Sequence, residues 1–324
     1  MKCPNCEAEN PDDYVYCGRC GTIVLAAEKA DRQKVEQIKA AIKQTMATRR
    51  ATDIIVPSWW LAAFLLFEIV AVIMGAATMV SAMQYGTYGV AMLQIECVFI
   101  IACSAASSLF IGIMAYYLVK RQNDHFSREW DLRANMLNLF KALAGSPERE
   151  RLIFRDVGPM LAAHQNAEAV REPWFWAVIA GLPGISTAIL FLLISSIVSW
   201  DMTDYVLLAF AAIILMIAVL ACGMLILYMI YFLCKTMKEH DKRWAAFSYG
   251  AVNVLAKFGI LPDWPYTPQA LQEREFAIYL MLSIFIPFFA VYWLYTLIID
   301  PNDHFRRQWK YEEWLIGALD KLRH

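Results

Sequence analysis

The chain has 324 residues, with 29 Lys/Arg against 30 Asp/Glu and a formal net charge of -1. That balance excludes a dedicated nucleic-acid binder, which shows a strong basic excess. Its residues are 59% apolar and only 18% charged, and the apolar ones gather in runs of the length read as transmembrane helices.

The chain opens on two knuckles, Cys3-Pro4-Asn5-Cys6 and Cys17-Gly18-Arg19-Cys20. Each Cys-x-x-Cys turn presents two thiolates to one ion, so together they supply a closed tetrahedral zinc site. The expected cofactor is one structural Zn2+ on Cys3, Cys6, Cys17 and Cys20; a catalytic zinc needs an open position. Asn10-Pro11-Asp12-Asp13 is a turn signal that lets the chain double back. Tyr14–Tyr16 and Thr22–Val24 read as short strands. So few residues bury no core, and the metal must supply the folding energy. The segment resembles the small N-terminal zinc ribbons of bacterial and archaeal proteins, over residues 1–25 only. Thiols kept free for metal imply a reducing compartment and hence a cytosolic N-terminus. No secretory signal peptide is visible. Cys97, Cys103, Cys222 and Cys234 lie in or beside apolar runs and read as packing residues.

Residues 26–56 form a polar linker in which Val35, Ile38, Ile42 and Met46 recur at helical spacing, the pattern of an amphipathic helix. Apolar runs then extend from Pro57 to about Met83, from Val90 to Val119, from Pro173 to Trp200 and from Tyr205 to Leu233. Each is long enough to span, and the Pro-aromatic starts put tryptophans at the interface. Lys and Arg number seven in 28–50, nine in 120–172 and six in 235–275. The short connections around Tyr85 and Asp201 have none. The positive-inside rule puts the basic segments in the cytosol. Ser146 caps a helix that starts at Pro147.

The chain also repeats. Tyr117, Asn123-Asp124-His125-Phe126, Arg128 and Trp130 recur as Tyr292-Trp293, Asn302-Asp303-His304-Phe305, Arg307 and Trp309. A degraded copy runs through Tyr228, Tyr231, His240 and Trp244. The predicted fold is therefore an all-α polytopic membrane protein with a small β zinc ribbon. Its four-span bundle comprises two parallel two-helix repeats, 57–145 and 146–262, and a truncated third unit, 263–324. In that third unit Phe276 to Ile299 is one apolar segment with Pro287 at its midpoint, read as re-entrant or sharply kinked, with a cytosolic C-terminus. Phe288 to Arg307 resembles a loosely defined group of prokaryotic membrane proteins. Their Tyr/Trp-rich span ends continue into a polar helix with an Asn/His-Phe element, and the resemblance implies no known chemistry. The simple account of this element is a helix leaving the bilayer. The sharper one is a cytosolic ligand or metal site formed by His125 and His304 with Asp124 and Asp303.

Glu68 and Glu96 fall inside the first two spans, ~15 Å and ~12 Å from the nearer face by helical rise. They read as protonated and hydrogen-bonded in the bundle, or as a proton or cation relay with Gln94 and Ser81. No catalytic fingerprint is present, so no enzyme is expected. Two functions remain: a membrane-anchored, cytosol-facing interaction protein whose ribbon meets a protein partner, or a small transporter or channel through Glu68 and Glu96. The lipid bilayer is a certain partner on this reading, and self-association is left open.

Overall fold

The computed structural model describes residues 2–3, 5–11, 17–20, 32–85, 90–144, 150–151, 155, 170–200, 205–260, 271–272, 274–286 and 288–322. The two strands expected at 14–16 and 22–24, and the capped helix start at Ser146, lie outside these residues. Among the described residues no sheet forms, and one isolated bridge joins Lys2 to Glu9.

Helices account for nearly all the rest. α1 (Arg32–Ala47) and α2 (Arg49–Thr52) precede α3 (Trp59–Tyr85). α4 (Val90–Ala144), α5 (Pro173–Trp200) and α6 (Tyr205–Lys257) follow, then α7 (Phe276–Phe285) and α8 (Phe289–Lys321). Among the described residues, α3, α4 and α6 are long and apolar enough to cross a membrane. α5 runs 28 residues without a charged side chain. Leu66, Ile69, Val72, Phe210, Ile214 and Leu220 project outward from α3 and α6. So much exposed apolar surface fits a protein whose solvent there is lipid.

α4 and α6 do not stop where their apolar runs stop. Their 55 and 53 residues continue unbroken into the polar segments. Those polar halves still carry apolar residues three and four apart, which is the pattern of a buried stripe. Leu132, Met136, Leu139, Phe140 and Leu143 of α4 meet Phe247, Ala251, Val254 and Leu255 of α6 and Leu315, Ala318 and Leu319 of α8. Val35, Ile42 and Met46 of α1 close this core. The linker helix is thus a fourth wall of a packed domain, with its apolar stripe spent on the protein's own core.

A second apolar core lies nearer the lipid-facing halves: Val56, Leu61, Met114, Leu118, Trp176, Phe232, Trp293 and Leu297. Between the two cores sits a layer of buried polar side chains.

The segment 276–299 breaks into two helices. α7 ends at Phe285, Phe288 takes a left-handed backbone (φ 64°), and α8 starts at Phe289. A bulky residue in that conformation costs about 1–2 kcal/mol. The chain reverses there, since the Phe276 ring lies 5.3 Å from Trp293 and the Tyr279 ring 5.2 Å from Phe289. Arg274 closes the hairpin on Asp300 (2.6 and 3.0 Å).

α8 also contains Pro301, which cannot donate to the carbonyl four residues back. Arg121 of α4 supplies the missing donor, with Nη2 2.6 Å from the Leu297 oxygen.

α4 and α5 approach through small residues. A Cβ placed on Gly184 would meet Ser108 Oγ and, at 2.9 Å, the Ser104 carbonyl oxygen; one on Gly75 would meet nothing within 4 Å. Gly184→Ala should therefore cost about 1–3 kcal/mol by forcing these backbones apart. Gly75→Ala should be neutral or slightly stabilising. Thermal unfolding of both variants in one detergent reads the difference.

Candidate metal centres

The two cysteine knuckles come together. Cys3 Sγ lies 3.5 Å from Cys20 Sγ, and Cys6 Sγ lies 3.4 Å from Cys17 Sγ. Thiolates about 2.3 Å from one tetrahedral zinc sit roughly 3.8 Å apart, so the set closes on an ion with shifts of tenths of an ångström. Backbone N–H groups already point at the sulfurs, Asn5 N to Cys3 and Arg19 N to Cys17, each at 3.4 Å. Asn10, expected only as a turn residue, joins the two halves. Its Nδ2 donates to the Ala8 carbonyl (2.9 Å) and to Cys17 Sγ (3.5 Å), and its Oδ1 accepts from Gly18 N (2.9 Å). The donor set and these N–H···S contacts fit a zinc ion bound by Cys3, Cys6, Cys17 and Cys20.

A second cluster sits in the buried polar layer. His125 of α4, His240 of α6 and His304 of α8 each present a ring nitrogen, and these nitrogens all lie within 4.8 Å of one another. His125 Nε2 is 3.1 Å from His240 Nε2 and 3.2 Å from His304 Nε2. All three rings are buried, at most 1% exposed. Phe126 stacks on His240 at 4.2 Å between centroids, and Phe305 lies 4.3 Å from His125. Each phenylalanine directly follows one of the histidines in sequence, so the His-Phe pair puts one ring into the cluster and the next onto its wall.

Carboxylates back the imidazoles. His125 Nδ1 lies 2.9 Å from Asp53 Oδ1 and His304 Nδ1 2.5 Å from Asp241 Oδ1. Glu129 Oε2 lies 2.5 Å from His240 Nε2, and Glu129 pairs with Arg133 one turn on. Burial drives the His125 pKa down to about 3 and lowers that of His304, so both rings are neutral at physiological pH. Burial opposes charge on Asp53, but His125, Arg128 and the Trp309 indole outweigh it and hold the carboxyl well below its usual range. Arg128 grips Asp53 through Nε and Nη2 (3.2 and 2.8 Å) and reaches Glu312 at 2.7 Å. Burial pushes Glu312 up to about 7 even so.

His125 and His304 thus lie side by side, while the carboxylates expected with them point elsewhere. Asp124 pairs with Lys120 (2.6 Å) and Asp303 with Arg306 (3.3 Å), both near the surface. The helical turn explains the correction: the residue before a buried histidine points about 100° away from it. The carboxylates that matter come instead from α2's end, from α6 and from α4. His240 is marked in the sequence only by the degraded repeat, and Asp53 by nothing at all, since apart from the neighbouring Thr52 hydroxyl its side-chain partners lie 72 or more residues away.

The asparagines of the repeated element have a separate use. Asn302 clasps Val56 through both backbone groups (2.9 and 3.2 Å), and Asn123 clasps Arg171 likewise (2.7 and 3.3 Å). Val56 and Arg171 each immediately precede an apolar helix. Leu271 N donates to Asp241 (2.5 Å) shortly before α7.

Of the intramembrane carboxylates, Glu68 accepts a hydrogen bond from Ser107 of α4. The side chains of Glu96, Gln94 and Ser81 lie outside the described residues. Cys103 and Cys222 are buried in helices, and Cys234 is half-buried.

The zinc-ribbon domain family matches residues 2–24. No curated protein and no solved structure matches the chain. The N-terminus is therefore a zinc ribbon, and the likeness stops where the helices start.

Removing the Asp53 carboxylate leaves Arg128 buried with half its partners gone. Asp53→Ala should cost about 3–5 kcal/mol, and thermal unfolding followed by helical circular dichroism checks it.

Proposed function

We propose that this is a membrane-anchored, cytosol-facing interaction protein, whose zinc ribbon recruits a protein partner from a rigid helical base. The observation that carries the reading is the docking of α1, the helix that follows the ribbon. Its apolar stripe is buried in the four-helix core and Lys43 pairs with Asp320 (2.5 Å), while Arg49 of α2 pairs with Glu313 (3.0 Å). Docking α1 keeps the ribbon near the bundle, which lowers the ordering cost when a partner binds.

The same reading takes the ribbon zinc as a single structural ion and the polar layer as cytosolic. It takes the membrane part as two parallel two-helix units and a truncated third. α3, the apolar halves of α4 and α6, and α5 are its four spans, and the α7–α8 hairpin enters and leaves on the cytosolic side. Continuous helices from lipid to cytosolic core, and the Asn123, Asp241 and Asn302 clasps on segments ahead of α5, α7 and α3, support that arrangement. Glu68 with its Ser107 partner supports a structural carboxylate, and nothing specific favours transport.

Affinity purification of the full chain from membranes, with and without residues 1–25, tests the function. Partners that depend on the ribbon are expected; an identical set from both proteins removes the interaction reading. Topology has its own check. A cysteine at Tyr85 or Asp201 should react with an impermeant thiol reagent in intact cells, while one at Gly145 or His324 should not. Labelling at His324 would make Phe276–Ile299 a simple fifth span.

A further inference from the structure

We propose that His125, His240 and His304 bind a second metal ion, a divalent transition metal of the zinc class, at the centre of the buried polar layer. The inference does not rest on the ribbon or on the interaction role above.

The argument starts from proton placement. A charged carboxylate only accepts hydrogen bonds, so the proton between His125 and Asp53 sits on Nδ1, and likewise between His304 and Asp241. A neutral imidazole has one N–H. The Nε2 atoms of His125 and His304 are therefore bare lone pairs, yet they face each other at 3.2 Å. Neither can donate to the other. His240 Nε2, 3.1 Å from His125, also lies 2.5 Å from Glu129, and its single proton on that atom cannot answer both lone pairs. Two acceptors pressed together out of water repel unless a cation lies between them. Among the described residues the nearby cations are turned to other groups: Arg128 to Asp53 and Glu312, Arg121 to Leu297 and Asn302, Arg133 to Glu129 and Arg307 to Asp241.

A metal ion satisfies all three nitrogens, with the His240 proton moved to Nδ1 so that its Nε2 is free to ligate. Ligands about 2.0–2.1 Å from a tetrahedral ion stand roughly 3.3 Å apart, and His125 Nε2 stands 3.1 and 3.2 Å from its two neighbours. The ring N–H groups turned to Asp53 and Asp241 are the outer-shell hydrogen bonds that metal-bound histidines make. Nitrogen donors without thiolate select zinc, cobalt, nickel or ferrous iron over magnesium and calcium. Three protein ligands leave a fourth position for a carboxylate or a water, and the Glu129 carboxylate, 2.5 Å from His240 Nε2, is at hand. Each ligand comes from a different long helix, so one ion ties α4, α6 and α8 at a single level.

The test is metal content of the detergent-purified full chain after equilibration with micromolar zinc and gel filtration. Wild type should hold two ions. A chain with Cys3, Cys6, Cys17 and Cys20 all changed to Ser should keep one, and adding His304→Gln to it should leave none. A four-serine chain that binds no zinc overturns the proposal, as does one that keeps its ion after His304→Gln. Cobalt gives a readout that needs no variant. In wild type the ribbon shows thiolate-to-metal charge transfer, and the second ion should add visible d–d bands without further charge transfer. Saturation at one equivalent with thiolate bands alone would also overturn it.

Discussion

Arg128 carries its charge where its side chain is 2% exposed, between Asp53 and Glu312. Removing such a charge from water costs several kcal/mol, and the return from its carboxylates seldom leaves much net stability. What it gives is uniqueness. Only one placement of α2, α4 and α8 satisfies a guanidinium that must reach the end of the linker and the middle of the last helix together. The indole of Trp309 donates to the same Asp53 at 2.7 Å, so a slip of α8 by one turn would strand two donors and a carboxylate at once. The polar layer fixes the register, and the apolar cores on either side supply the driving force.

In the lipid-facing half the constraint is shape. Apolar side chains there gain nothing from leaving lipid, so close approach of backbones has to hold the helices. Gly112, Gly181 and Gly184 let α4 and α5 touch through Ala177 and Ser108. The polar half is ordered by hydrophobic burial and charge, the apolar half by small residues and van der Waals contact. Because α4 and α6 run through both without a break, the two regimes are mechanically one body along each helix.

Much of this was legible in the sequence. The knuckle spacing located the ribbon, and the hydropathy runs located the apolar helices. Pro287 marked a break that the structure shows as a reversal between Phe285 and Phe289. The 3.5-to-3.6 periodicity of Val35, Ile42 and Met46 was visible as well, though the sequence could not say that the helix packs on its own chain. The polar layer was largely hidden. Its pairs join residues 53 with 125, 128 and 309, or 241 with 304, and charge on a helix leaving the bilayer normally means a solvated or headgroup-facing surface. Asp124 and Asp303 drew attention because they adjoin the histidines. Adjacency on a helix is separation in space, and the carboxylates one turn or one helix away hold the rings.

The two metal sites differ in what the ion does for the chain. In the ribbon, about two dozen residues carry no sizeable core, and a segment of that kind generally draws its folding free energy from the bound metal. Around His125 the helices are already held by Phe140, Phe247, Leu255 and Leu315 on one side and by Trp293 and Ile298 on the other. There the ion enters a preformed layer. Its work is to bridge three rings that the packing has already brought together. Asp53 is also a contact through which the end of α2 grips the bundle, on Arg128 and Trp309.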